Sequence, residues 1–205
     1  MAYRETASVR ARKAAQREHL LGCAEQLVRE GGFAALTMQA LAERAGVGVG
    51  TLYRYFENKG VLAAEVFRGA TEREVAAMAL AMGEGGGVRE RLSHAVRQFV
   101  RRAQAAPKLA WALIAEPVDA AVDAERLHYR DAYARLYRRM LDEGVASGEL
   151  PPQSTALAAA GLVGAIAEAL VGPLAAPLAD AALADHLADF ALRAVGISPP
   201  SAGAG

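Results

Sequence analysis

A short polar surface is the part of the sequence best equipped for chemistry. A helical register over residues 49–56 turns Gly50, Thr51 and Arg54 to one side, away from the apolar positions. Thr51 offers a methyl and a hydroxyl group to base edges, and Arg54 can reach a guanine or a phosphate. Because Gly50 has no side chain, it admits the close approach of a duplex. These groups suit non-covalent recognition of nucleic acid.

Anion-binding groups flank this surface. The rings of Tyr53 and Tyr55 fall at its boundary, so their hydroxyl groups can donate to phosphates while the rings stay packed. Asn58 is a good N-cap for a following helix. Lys59 then lies beside exposed backbone N–H groups, whose partial positive charge favours an anion.

A second helix must precede and position this surface. Thr37 is a good N-cap, and the apolar residues after it recur at helical spacing through Ala45. Gly46 suits the left-handed conformation that often ends a helix. Two short helices across a glycine turn are the layout of a helix-turn-helix. A turn alone would also fit a generic αα-hairpin, but a hairpin has no need of the outward polar groups.

The segment resembles the DNA-binding domain of the TetR family of bacterial transcriptional repressors. The agreement is specific because many residue types match in register over about thirty positions. The residues that carry it are Gly32, Phe33, Thr37, Ala42, Ala45, Gly46, Val47, Thr51, Leu52, Tyr53, Tyr55, Phe56 and Lys59.

The resemblance implies roles for individual side chains. Phosphate contacts are expected from Thr37, Tyr53, Tyr55 and Lys59. Positions at or near the bases are expected for Gln39, Val49, Gly50 and Thr51, in addition to Arg54 from the analysis above. One departure is Gly48, where family members often carry a polar residue, so the reading helix lacks a side-chain N-cap.

Charge is distributed unevenly along a chain whose net charge is zero. Residues 1–59 contain 9 basic and 6 acidic residues, whereas residues 60–205 contain 14 basic and 17 acidic residues. The basic N-terminal arm is typical of a solvated tail, and beside a DNA-binding domain it can also contact phosphates or the minor groove. The single cysteine excludes an internal disulfide, and no signal peptide is evident, so we expect a cytoplasmic protein.

Helical spacing without sustained strand alternation predicts an all-α fold. The resemblance divides it into an N-terminal three-helix helix-turn-helix domain and a C-terminal helical domain for ligand binding and dimerisation. The predicted regions are a disordered basic arm (1–9), the DNA-binding domain (10–58), the C-terminal domain (59–197) and a disordered tail (198–205). The predicted helices span 9–30, 38–45, 49–56, 59–82, 88–106, 107–117, 119–145, 154–170 and 180–195.

The segment 155–179 is nearly free of charge, which raises the possibility of a membrane span. Glu168, Pro173 and Pro177 oppose that interpretation, and a buried helix is favoured. The resemblance implies a homodimer formed by the last two helices, and a surface of small residues favours close helix packing. Both helices could instead close the monomer core. The predicted interface comprises Ala160, Gly161, Gly164, Ala165 and Glu168.

The resemblance also implies a small-molecule effector bound in the C-terminal domain, for which an aromatic and methionine-rich stripe predicts a mainly apolar ligand. Such a stripe is more often part of an ordinary core than the wall of a cavity. Arg126, His128 and Arg130 can bind an acidic group, although Glu125 and Asp131 lie close enough to pair with them. The predicted pocket residues are Met78, Met82, Phe99, Trp111, Leu113, Tyr129, Tyr133, Leu136 and Met140.

Two other classes of function compete with a ligand-responsive repressor. The four histidines lie in separate helices, and no catalytic, metal-binding or cofactor motif is evident, so an enzyme is disfavoured and no cofactor is expected. An architectural DNA-binding protein without an effector would share the reading surface but would tolerate a filled C-terminal core. A cavity of a few hundred Å³ would argue against it. The expected partners are therefore a double-stranded DNA operator, a small effector and a second copy of the chain, with no membrane.

Overall fold

The computed structural model of the protein describes residues 7–175 and 182–198. All regular elements within these two ranges are helices, which confirms the all-α prediction. In chain order they are α1 (Ala7–Ala35), α2 (Met38–Ala45), α3 (Val49–Leu52), α4 (Lys59–Gly83), α5 (Val88–Ala105), α6 (Pro107–Ile114), α7 (Ala120–Ser147), α8 (Thr155–Ala175) and α9 (Leu183–Ala194).

The predicted caps of the helix-turn-helix are confirmed. The Thr37 hydroxyl accepts a hydrogen bond from the N–H of Ala40 at 3.0 Å, at the start of α2. Gly46 ends α2 with a φ of 66°, a conformation that glycine adopts without steric cost. The Asn58 side chain accepts from the N–H of Val61 at 2.9 Å and so begins α4.

Helix α3 is shorter than the predicted 49–56, because it ends at Leu52. The next residues form a tight turn, in which the N–H of Tyr55 bonds the carbonyl of Leu52 at 2.9 Å. Glycines on either side of Val49 weaken helix propensity, and Gly48 supplies no side-chain cap. The turn still delivers both Leu52 and Phe56 to the core, where they are fully buried.

Helix α1 extends beyond the predicted 9–30 at both ends. Residues 7–9 of the predicted disordered arm are helical, since alanine and arginine in the following turns favour a helix. Residues 1–6 of that arm and 199–205 of the predicted tail lie outside the described residues. At the other end the helix kinks at Gly31 and Gly32, and Gly32 has a φ of 72°.

Two hydrophobic clusters form the interior. The first joins α1–α3 to the start of α4 and includes Leu109 of α6 and Tyr129 of α7. The predicted boundary after residue 58 therefore falls inside one packed cluster, because Leu62 and Phe67 belong to it. The second cluster lies among α4, α5, α7, α8 and α9, where α5 packs against α9 and α7 against α8.

Helix α8 continues through Pro173 to Ala175, although that proline predicted a break. Pro177 and the predicted start of the last helix at Asp180 lie outside the described residues. Among the described helices, Thr155–Leu174 is the one long and apolar enough to cross a membrane by length and composition. Since 28% of this span is buried within the single chain, much of its surface remains uncovered.

Candidate nucleic-acid interface and effector cavity

The predicted reading surface is formed by α3 and the turn after it. Gly50 and Arg54 are exposed, and Val49 and Thr51 are half-buried. Leu52 anchors the opposite side of the helix in the core. Arg54 forms no ion pair within residues 7–175 and 182–198, so its guanidinium group is available to a partner.

The predicted phosphate-binding groups surround this surface. Tyr53 is 55% exposed, and Tyr55 is half-buried with its ring against the first cluster. Lys59 is exposed at the first residue of α4, directly after the Asn58 cap. Thr37 is exposed at the start of α2, where its hydroxyl group already accepts a backbone hydrogen bond.

Gln39 is exposed on α2, but its amide group is engaged. It donates to the carboxylate of Glu43 at 3.0 Å, one turn further along the helix. Base contact by Gln39 therefore requires this surface hydrogen bond to exchange for one to the duplex. Such an exchange costs little, because exposed hydrogen bonds compete with water.

A cavity of about 290 Å³ lies at the junction of the two hydrophobic clusters. Aromatic and aliphatic side chains from α4 to α8 form most of its wall. Five of the predicted pocket residues line it, namely Met78, Phe99, Leu113, Tyr129 and Tyr133. Lining residues that the sequence analysis missed include Phe67, Thr71, Glu74, Arg102, Leu109, Tyr137 and Ile166.

Four predicted pocket residues lie elsewhere. Met82 and Met140 are buried in the second cluster, and Trp111 and Leu136 pack at its edge. The difference is one of helical phase, because the cavity face of α7 carries tyrosines at 129, 133 and 137. Their spacing of four residues was the signal in the sequence that could have identified Tyr137.

The cavity wall contains polar groups that differ in their hydrogen bonding. The hydroxyl of Tyr129 donates to Glu72 at 3.1 Å, and Arg102 pairs with Glu74 at 2.6 Å. In contrast, the hydroxyl groups of Thr71 and Tyr137 are buried and have no hydrogen-bond partner among the described residues. Burial raises the pKa of Tyr137, so its phenol is neutral at physiological pH.

The three basic residues predicted to bind an acidic ligand group do not all lie at the cavity. Arg126 and Arg130 line the cavity, whereas His128 is exposed and packs edge-on against Tyr129. The expected neighbouring acids are engaged elsewhere, with Glu125 bonded to Arg68 and Asp131 to Arg135. Neither acid neutralises the cavity wall.

Arg126 connects the cavity to the end of α6. Its guanidinium group donates to the carbonyl oxygens of Leu113 at 3.1 Å, Ala112 at 3.3 Å and Glu116 at 2.8 Å. It also pairs with Asp123 at 2.7 Å. Burial lowers the pKa of Arg126, but a guanidinium remains charged in proteins. Arg126 therefore fixes the last carbonyl groups of a short helix from within the cavity wall.

Glu116 continues this connection to the DNA-binding domain. The residue is 5% exposed, and its carboxylate accepts hydrogen bonds from the N–H of Phe33 at 2.7 Å and of Ala34 at 3.0 Å. Both N–H groups directly follow the kink that Gly31 and Gly32 form within α1. No sequence pattern indicates this contact, because Glu116 is an isolated acid in a loop.

Comparison with known families decides the identity of the chain. The model of bacterial regulatory proteins of the tetR family matches residues 20–66, and that of the tetracyclin repressor-like C-terminal domain matches residues 85–170. The chain belongs to the TetR family. This membership confirms the resemblance seen in the sequence and places the chain among regulatory proteins rather than enzymes.

Individual relatives of this TetR-family protein include curated repressors and solved structures. It is 33% identical over 131 residues to the HTH-type transcriptional repressor KstR of Mycolicibacterium smegmatis, covering 63% of this chain and 64% of that protein. The chain thus spans less than two thirds of that relative. It shares its fold with FadR from Bacillus subtilis, solved in complex with stearoyl-CoA, at 20% identity and a TM-score of 0.75 over 87% of this chain and 98% of that one. E. coli NemR in its reduced form gives a TM-score of 0.77 at 18% identity, over 92% and 100% of the two chains.

The predicted dimer interface of this TetR-family chain lies on its surface. Ala160, Gly161, Gly164 and Glu168 are exposed on α8, and Ala165 beside them is half-buried. A Cβ atom added at either glycine would meet no atom within 4 Å, so both face open space in the single chain. Two large apolar residues nearby are not among the predicted interface residues. Leu157 on α8 is 74% exposed, and Phe190 on α9 is 42% exposed.

Proposed function

We propose that this protein is a cytoplasmic, ligand-responsive transcriptional repressor. In this proposal a homodimer binds a palindromic double-stranded DNA operator and is released from it by a small, mainly apolar effector. The observation that carries the proposal is the combination in one chain of a capped helix-turn-helix with a mainly apolar cavity of about 290 Å³.

Recognition of DNA is supported by the exposed and half-buried polar groups around α3. In the proposed complex Lys59, Tyr53 and Tyr55 hold phosphates, while Thr51 and Arg54 present hydrogen-bonding groups to base edges. Phosphate contacts fix the position of the domain, and base contacts supply sequence preference. Because Gly48 and Gly50 contribute no side chains, the preference rests on few direct contacts.

Dimerisation is supported by the uncovered apolar face of α8 and α9. The small residues Gly161 and Gly164 allow a second helix to approach closely, and Leu157 and Phe190 supply apolar area at its margins. A two-fold axis through this face would produce two reading surfaces. These must lie about one helical turn of DNA apart, or a multiple of it, to enter successive major grooves.

A small effector is supported by the size and lining of the cavity. Its volume is about twice the ~150 Å³ of a cavity that holds benzene, so it suits a ligand portion of about a dozen carbon atoms. The architectural alternative needs no such space. FadR from Bacillus subtilis, a structural neighbour, was solved with stearoyl-CoA, a molecule that also has a long apolar part.

A route from cavity to DNA is supported by Arg126 and Glu116. A ligand that displaces Arg126 disturbs the end of α6, and Glu116 transmits the shift to the backbone at Phe33. Helix α4 offers a second route, because it lines the cavity at Phe67 and begins at Lys59. Either route changes DNA affinity only if the ligand binds one arrangement of the two domains better than the other.

One experiment tests the proposal in two stages. The purified chain is first incubated with random double-stranded oligonucleotides in low-salt buffer, and bound sequences are recovered over several rounds. We expect a roughly palindromic site to be enriched. Fluorescence anisotropy then measures release of the chain from that site in the presence of each member of a library of apolar and charged compounds. We expect the compounds that cause release to be apolar. Failure to enrich any site, or release only by small, highly charged compounds, would refute it.

A further inference from the structure

Two buried hydroxyl groups in the cavity wall have no hydrogen-bond partner among residues 7–175 and 182–198. Thr71 of α4 is 5% exposed and Tyr137 of α7 is 2% exposed, and both residues line the cavity. Among the described residues, neither the Thr71 Oγ1 atom nor the Tyr137 Oη atom forms a hydrogen bond. By contrast, the hydroxyl of Tyr129, on the same face of α7, donates a hydrogen bond to Glu72.

An orphaned hydroxyl in such a place is unusual in a folded protein. The great majority of buried polar atoms are hydrogen-bonded, because an unpaired one loses its interaction with water and gains nothing in return. Valine would fill the position of Thr71 and phenylalanine that of Tyr137 without this loss. Threonine and tyrosine at these positions therefore point to a partner that enters the cavity.

The chemistry of the two groups defines that partner. Each hydroxyl can donate one hydrogen bond, and the raised pKa of Tyr137 keeps its proton in place at physiological pH. The surrounding wall is apolar, with Phe67, Met78 and Ile166 among its residues. A matching molecule has an apolar body and carries an oxygen that accepts hydrogen bonds.

We propose that the effector is an apolar carbonyl compound, and that Tyr137 and Thr71 donate hydrogen bonds to its oxygen. This inference deepens the proposed function and rests on it for the effect of the ligand on DNA. In this proposal the two hydroxyl groups discriminate between an oxygenated ligand and a pure hydrocarbon of the same shape. Such discrimination is strong when a site is built to hydrogen-bond its ligand, because the wrong ligand leaves buried groups unpaired.

A matched pair of probes tests this assignment. 2-Acetylnaphthalene and 2-isopropenylnaphthalene have nearly the same shape and an equal number of non-hydrogen atoms, but only the first carries a carbonyl oxygen. Their dissociation constants are measured for the full chain and for the Tyr137→Phe and Thr71→Val variants, which remove one hydroxyl each with little change in size. We expect each substitution to reduce the preference for the ketone by about three- to tenfold.

The ratio of the two dissociation constants separates recognition from folding. A variant that merely loosens the cavity weakens both probes alike and leaves the ratio unchanged. Thr155→Val is the matched control, because it removes a threonine hydroxyl that lies outside the cavity and is bonded to Asp142, and its ratio should equal that of the unmodified chain. Equal ratios in all four proteins, or binding of neither probe, would overturn the assignment.

DNA release is measured separately with the same two probes. If the ketone preference depends on Tyr137 and Thr71 but neither probe releases DNA, the hydroxyl assignment stands and the effector response of the proposed function fails. If DNA is released equally by both probes in every variant, the effector response stands and the assignment of the hydroxyls fails.

Discussion

The carboxylate of Glu116 accepts a hydrogen bond from the backbone N–H of Phe33 at 2.7 Å, although the two residues are 83 positions apart in the chain. The N–H of Ala34 donates to the same carboxylate at 3.0 Å. A buried side chain of the C-terminal half thus replaces the backbone bonds that α1 loses at its kink. Hydrogen bonds to a charged acceptor are stronger than neutral ones, so this contact ties the two domains together.

Replacing Glu116 with Gln should weaken this tie. The amide keeps one acceptor oxygen, but its NH₂ group then faces a backbone donor, and an unsatisfied buried group costs about 1–3 kcal/mol. We expect urea denaturation to show a loss of that size, and effector-driven release of DNA to be less complete at saturation. Glu18→Gln, at an exposed position of α1, should leave both measurements unchanged. Identical stabilities of the two variants would contradict the role of Glu116.

Gly32 should tolerate no side chain, unlike a glycine earlier in the same helix. Its φ of 72° and ψ of −175° belong to a region that only glycine occupies readily, and an added Cβ would lie 2.6 Å from the Glu116 carboxylate. We expect Gly32→Ala to lower the free energy of unfolding by more than about 2 kcal/mol. Gly22→Ala, which meets nothing within 4 Å in the helix interior, should raise it by roughly 0.5–1 kcal/mol.

Lys59 and Thr51 should differ in how they affect DNA binding. Lys59→Ala should weaken binding to all sequences alike and reduce the slope of log K against log salt by about 0.9 for each DNA-binding domain. Thr51→Ala should leave the slope unchanged and mainly alter the preferred bases. Salt titrations on the selected operator and on a scrambled duplex measure both effects. Equal changes in slope for the two variants would refute the division between phosphate and base contacts.

Gly164→Leu should prevent close approach of a second copy. The glycine faces open space in the single chain, so a larger side chain is accommodated there without disturbing the core. In the proposed dimer the same side chain would hold the two helices apart. Sedimentation velocity should show a monomer for Gly164→Leu and a dimer for Ala79→Leu, a similar substitution at an exposed position of α4. A dimer in both variants would exclude this face as the interface.

The helix-turn-helix could be predicted from the sequence because its determinants are local. Thr37, Gly46 and Asn58 act on backbone groups within a few residues of themselves, so their types and spacing specify the caps that the structure contains. The apolar periodicity of the C-terminal half specified helices for the same reason. Only their ends shifted, as at Leu52, where tertiary packing and two weak glycine positions shortened α3.

The cavity depended on tertiary structure, since its wall is assembled from six helices whose relative rotation no local pattern records. The packing of α7 against its neighbours places Tyr137 in the wall and Met140 in the core. The bond from Glu116 to Phe33 is of the same kind, because nothing near either residue in the chain indicates the other. The sequence by itself determined the helices and the chemistry of the α3 surface, through interactions within a few residues. Packing between distant helices alone decided which side chains enclose the cavity and which one joins it to the DNA-binding domain.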